Sequence, residues 1–154
     1  MQNGYTIDID RPAPHVWAIL SDGFASVGDW ATSVPASRPD ESGDGRYCET
    51  PFRGFPEVKE TLLVHDDDAM TYTYAASSVP RWLGRPRNTW FVEPLGDQRC
   101  RVGFRPEIDA SALGKVAFRL SGFKLEDLAS QVLEDLKHYA ESGRPSPSKL
   151  ASLT

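Results

Sequence analysis

Leu125, Leu128, Ala129, Val132, Leu133, Leu136, Tyr139 and Ala140 recur at steps of three and four, the spacing of an apolar stripe along one face of a helix. Asp127, Glu134, Asp135, Lys137, His138 and Glu141 fall off that stripe and predict a solvated opposite face. Leu113, Val116, Ala117 and Leu120 begin the stripe soon after Ser111, and Gly122 places a kink or break within it. Almost everything upstream has the period of a strand instead. Tyr5, Ile7 and Ile9 alternate with Thr6, Asp8 and Asp10. Arg11-Pro12 ends that strand. Pro14 suits a first helical turn, and Val16, Trp17, Ile19 and Leu20 form a short amphipathic helix. A second short helix is predicted over 24–30. The two prolines in 34–39 make that piece an edge strand or irregular. Further strands are predicted over 46–51, 57–65, 70–76, 88–93 and 99–105, with a longer loop over 77–87.

The order is strand, two short helices, a run of hairpin-connected strands, then one long helix. Hairpins make the sheet antiparallel. The single long helix must lay its stripe on the concave side of that sheet, giving an α+β fold with space between the two layers. One domain is expected over 1–143. The segment 144–154 opens with Arg-Pro-Ser-Pro-Ser, has no apolar periodicity, and reads as a disordered tail.

Composition narrows the function. Hydrophobic residues make up 40% of the chain, enough for a core, and the formal net charge is −5. Lys and Arg form no run, so a nucleic-acid partner is not expected. No apolar stretch approaches the ~20 residues of a spanning helix, so no membrane insertion is expected. The first residues are polar, with no leader-like apolar region. Cys48 and Cys100 lie far apart and read as buried free thiols of a reduced compartment. Together these features point to a cytoplasmic protein.

Strand parity sorts the candidates for chemistry. If Lys59 faces water, then Val58, Glu60, Leu62 and Val64 face inward, which puts a carboxylate on an apolar face. A buried carboxylate is costly unless paired, and Arg46, on the side of its strand that carries Cys48, is the natural partner. Glu60 is then either a strand-end carboxylate with solvent or an arginine partner, or a cavity group able to hold a ligand or shuttle a proton. Tyr72 and Tyr74 share a face with Met70 and Ala76, and buried phenols need partners. Asn88, Trp90 and Val92 share an inward face, as do Cys100, Val102 and Phe104, whereas Phe91, Arg101 and Arg105 face out. A cavity lined by Leu62, Tyr74, Trp90, Phe104 and Leu128 follows. Trp30 and Trp82 either cap its mouth or cover a sheet edge, and Phe24, Trp30 and the 77–87 loop together could gate it.

Other constellations fail on spacing. His15, His65 and His138 have no metal-like neighbours. Asp66–Asp68 lacks the spaced ligands of a calcium loop. There is no phosphate-binding glycine loop and no Gly-x-Ser-x-Gly elbow.

The run from Ile9 through Asp10-Arg11-Pro12-Ala13-Pro14-His15-Val16-Trp17 to Asp22 resembles the opening of the START-like, Bet v 1-like superfamily. Trp30 sits where those proteins often carry an aromatic. The segments 60–67 and 72–74 are similar to their central hairpin, and 133–143 to the end of their C-terminal helix. The superfamily, which includes polyketide cyclase/dehydrase and lipid-transport proteins, implies a helix-grip fold around a cavity for a hydrophobic ligand. Three functions are then to be separated. The first is a binder of a hydrophobic, partly oxygenated small molecule, oriented by Glu60, Arg46, Tyr72, Tyr74 and Asn88. The second is a cofactor-independent cyclase, aromatase or dehydratase, with Glu60 or a tyrosine as acid/base group. The third is an interaction protein with a filled cavity, for which a volume below roughly 300 Å³ would argue.

Overall fold

The computed structural model describes residues 4–81, 84–108, 111–120, 122 and 124–154. β1 (Tyr5–Ile9) leads into α1 (Ala13–Leu20) and a 3-10 helix (Phe24–Asp29). Six strands follow: β2 (Ser37–Pro39), β3 (Gly45–Glu49), β4 (Glu57–Asp66), β5 (Thr71–Ser77), β6 (Arg87–Gly96) and β7 (Arg99–Glu107). α2 (Ala112–Leu120), α3 (Leu125–Ser142) and α4 (Pro147–Ser152) complete the chain. The strands form one curved antiparallel sheet in the order β1-β7-β6-β5-β4-β3-β2, with α3 as its long helix, so the chain has the helix-grip α+β fold. No described helix is long and apolar enough to cross a membrane.

The core forms where the α3 stripe meets α1 and the concave side of the sheet. Leu133, Leu136, Ala129 and Ala140 are buried with Ile9, Val16, Trp17, Leu20, Cys100 and Val102. The interruption expected at Gly122 is a full break between α2 and α3. α3 stops at Gly143, whose φ of 74° gives the left-handed cap that side-chain-bearing residues rarely adopt. α2 leaves Leu113, Val116 and Leu120 exposed.

Three expectations are corrected. Val64 does not face inward. The β4–β5 register shifts between Leu62 and Val64, so Leu62 opposes Tyr74 but His65, not Val64, opposes Tyr72. One extra residue inverts the parity of the strand end. Val64 turns out to solvent, and the His65 ring stacks on Trp17 with centroids 5.8 Å apart. Asp135 is not on a wet face but fully buried. The reason is the third correction: 144–154 is no disordered tail. Ser146 caps α4, with its hydroxyl accepting from the Lys149 amide, and α4 brings Ser146 and Lys149 down over Asp135.

Candidate functional site

Arg46 and Glu60 oppose each other in the β3–β4 register, so pairing of the backbone alone brings the two side chains together on the concave face. Arg46 Nε donates to Glu60 Oε1 at 3.1 Å, and both groups are largely withdrawn from solvent. The Cys48 thiol, two residues along β3, donates to the same oxygen at 3.1 Å. Arg46 Nη1 donates to the Phe24 carbonyl oxygen at 2.7 Å, and its guanidinium lies 3.9 Å from the Phe24 ring centre and 4.9 Å from that of Tyr74. Burial works against the Arg46 charge, but the Glu60 carboxylate together with the neighbouring Tyr74, Tyr72 and Cys48 outweighs it, and Arg46 is held more firmly protonated than a free arginine. Burial also pushes the Tyr72 and Tyr74 hydroxyls and the Cys48 thiol up, so all three stay protonated at neutral pH.

The next strands continue this polar row. Tyr74 opposes Asn88, whose Nδ2 donates to the Tyr74 hydroxyl at 3.1 Å. Tyr72 opposes Trp90, which opposes Phe104, and the last two rings pack with centroids 4.8 Å apart. Between this row and the first half of α3 lies a cavity of about 260 Å³. Its walls are Arg46, Cys48, Val58, Glu60, Tyr72, Tyr74, Asn88, Trp90 and Phe104 from the sheet, and Leu125, Leu128, Ala129 and Val132 from α3. Ile19, Leu20, Val27, Trp30, Ala31, Ser33 and Val34 close a further side. Glu49, Pro51 and Phe52, all exposed, mark where it reaches the surface.

The cavity therefore gathers Trp30, Arg46, Glu60, Tyr72, Tyr74, Asn88, Trp90, Phe104 and Leu128 from separate elements. Leu62 is the exception. It faces inward but packs against the core cluster and is not among the lining residues. Trp30 is buried in the wall, not set over a mouth. Phe24 is no gate: it sits over Arg46 and meets Tyr72 edge-on, with ring centroids 5.4 Å apart. Trp82 lies outside the described residues. Sequence reasoning missed Cys48 as a site residue, although it shares Arg46's parity, and missed the 31–34 wall and the Phe52 rim. Neither of those carries a periodic signal.

Among the described residues, three buried side-chain polar atoms have no partner: Trp30 Nε1, Thr32 Oγ1 and Asn88 Oδ1. Two of these three residues line the cavity. Such atoms cost about 1–3 kcal/mol each unless something meets them. Among the described residues no group of three or more His, Cys, Asp or Glu is placed to hold a metal ion.

Residues 4–141 match the family model for polyketide cyclase / dehydrase and lipid transport. The chain belongs to that family. No curated protein matches this family member by sequence. Among solved structures, a protein from Bacillus thuringiensis superposes with a TM-score of 0.72 at 23% identity, covering 91% of this chain and 98% of that one. The di-domain ARO/CYC BexL from the BE-7585A biosynthetic pathway gives 0.72 at 17% identity, over 90% of this chain and 45% of that one. Norcoclaurine synthase from Thalictrum flavum, a point mutant in complex with a transition state analogue, gives 0.67 at 15% identity, over 90% and 95%. These superpositions show that the family member shares the fold of these proteins.

Proposed function

We propose that the protein binds a compact, hydrophobic, partly oxygenated small molecule in the cavity between its sheet and α3. The observation that carries this reading is the mixed lining of the cavity, in which a polar row of Arg46, Glu60, Tyr74 and Asn88 on the sheet faces apolar walls from α3. A filled, vestigial cavity has no use for such a row. The volume of about 260 Å³ is under the roughly 300 Å³ typical of ligand sites, so size alone favours an interaction protein. The lining outweighs it, because a dry apolar cavity of about 150 Å³ already admits benzene. The size instead limits the ligand to one or two fused rings. Apolar walls supply affinity, and a hydroxyl or carbonyl on the ligand would meet the polar row of the sheet, which Asn88 helps to hold through the Tyr74 hydroxyl.

The alternative is a cofactor-independent cyclase, aromatase or dehydratase. It is favoured by a carboxylate, Glu60, in the same cavity wall as two tyrosines that stay protonated. The family's description and the likeness to BexL and norcoclaurine synthase agree with it. Glu60 would then exchange a proton with the substrate carbon or oxygen while Arg46 holds its charge in place.

Titration of the full chain with naphthalene and 2-naphthol tests the binding reading. The hydroxyl should improve affinity about 5–10-fold through one net hydrogen bond, and Asn88→Leu should erase the difference. Native mass spectrometry of protein purified from its own host would identify a co-purifying molecule. If neither naphthalene nor 2-naphthol binds and nothing co-purifies, the interaction-protein reading replaces this one.

A further inference from the structure

One wall of the cavity is irregular chain, the stretch from Ala31 to Val34. Irregular backbone is the least constrained part of such a site, so what holds it decides the width of the cavity. Its far end is well fixed: Ser37 Oγ donates to the Ala25 carbonyl and accepts from the Gly28 amide. Between Thr32 and Pro35, the described hydrogen bonds to other elements number two. The Thr32 amide donates to Asp135 Oδ2 at 2.8 Å, and the Val34 carbonyl accepts from Lys149 Nζ at 2.8 Å.

Both partners are charged groups withdrawn from water, Asp135 at 0% and Lys149 at 1% exposure. Burying a charge is costly, and an apolar pair of the same volume would stabilise a domain at least as well. The rest of the network orients these two groups. Asp135 Oδ1 accepts from Ser146 Oγ at 2.6 Å and from Gln131 Nε2 at 2.9 Å. Ser146 Oγ in turn accepts from the Lys149 amide at 3.1 Å. α3 supplies Asp135 and Gln131, α4 supplies Ser146 and Lys149, and both groups converge on a segment more than 100 residues earlier in the chain.

We infer that α4 is a clip on the cavity, and that Asp135 and Lys149 are positioning residues which hold the Thr32–Val34 wall against α3 and so set which ligands fit. The inference rests on the binding reading for its ligand class, but the clip itself does not. A tail that merely covered core would not place its one buried ammonium on a cavity-wall carbonyl. Releasing the clip lets the wall swing away from α3, and a wider ligand then enters at little cost.

The test compares the full chain with Lys149→Met, which keeps the stem and loses the ammonium, and Asp135→Asn, which keeps the shape and loses the charge. Hydrogen exchange read by peptide mass spectrometry should quicken about ten-fold or more over 31–36 in both variants, with β4 to β7 unchanged. In the same proteins, 2-naphthol and 2-anthrol report the width. The unmodified chain should favour 2-naphthol by about ten-fold or more, and the preference should fall to about three-fold or less in Lys149→Met. Unchanged exchange over 31–36, or a uniform rise across all strands, would overturn the clip. Local loosening with an intact preference would overturn its role in selection. If neither probe binds any of the three proteins, the binding reading fails, and the exchange pattern still decides the clip.

Discussion

At the scale of single residues, the Arg46–Glu60 pair is legible in the sequence, because parity puts both on one face and a lone buried carboxylate needs a cation. Glu60→Gln keeps the shape and removes the charge. For a binder, calorimetric titration should show a loss of about 1–3 kcal/mol in affinity. For an enzyme, turnover should fall about 10²–10⁴-fold with affinity nearly kept. The burial of Asp135 is not legible. Helical periodicity assigns a residue to a face, but it does not say what will arrive to cover that face. Gly103 makes a second residue-scale case. A Cβ there would sit 2.5 Å from both Phe91 Cζ and the Tyr5 carbonyl oxygen. The carbonyl belongs to the β1–β7 pairing and cannot yield, so Gly103→Ala should lower stability by about 1–3 kcal/mol in denaturant melts.

At the scale of elements, α3 is readable to its last turn, since the apolar stripe runs to Ala140 and the helix to Ser142. Leu133 lies at the centre of that stripe with 4% exposure. Leu133→Ala should cost about 2–5 kcal/mol in the same melts. The extra residue in β4 is invisible in the sequence, because alternation looks the same on both sides of a bulge until the partner strand is known. α4 is invisible for a different reason. Six residues carry too little pattern, and the helix is held by a cap and by a buried lysine, not by an apolar face. Ending the chain at Gly143 removes Ser146 and Lys149 and exposes Asp135. It should cost about 1–3 kcal/mol, where a true tail would cost nothing.

At the scale of the whole molecule, the order of strands and helices follows from period and turn residues, while the cavity's width depends on loops that have neither. The surface charges set the acid limit of the fold. Asp8 is held below the ordinary carboxylate range by the hydrogen bond from Arg101, then by the Arg101 and Arg99 charges. Glu57 is lowered by its hydrogen bond from Arg38. Burial alone would raise Glu141, but bonds from Lys137 and the Asp10 amide bring it down. Each of these groups has a folded-state pKa below its unfolded value. Their stabilisation is therefore complete above about pH 5 and disappears as the pH drops through the folded values. Melting temperatures should be level from about pH 5 to 7 and fall below about pH 4. Asp8→Asn should lower the plateau slightly and soften the fall.

The two cysteines have a practical consequence. Both are buried free thiols. Burial pushes Cys100 up to about 11, and burial together with the Glu60 charge pushes Cys48 higher. The thiolate is the form that attacks a thiol reagent, so the unmodified chain should take up almost no maleimide dye at neutral pH. Ser33, half-exposed in the cavity wall, then becomes a unique labelling position. A fluorophore attached at Ser33→Cys would turn the protein into a sensor of its own occupancy, able to pick a ligand out of a metabolite extract before anyone has guessed its structure.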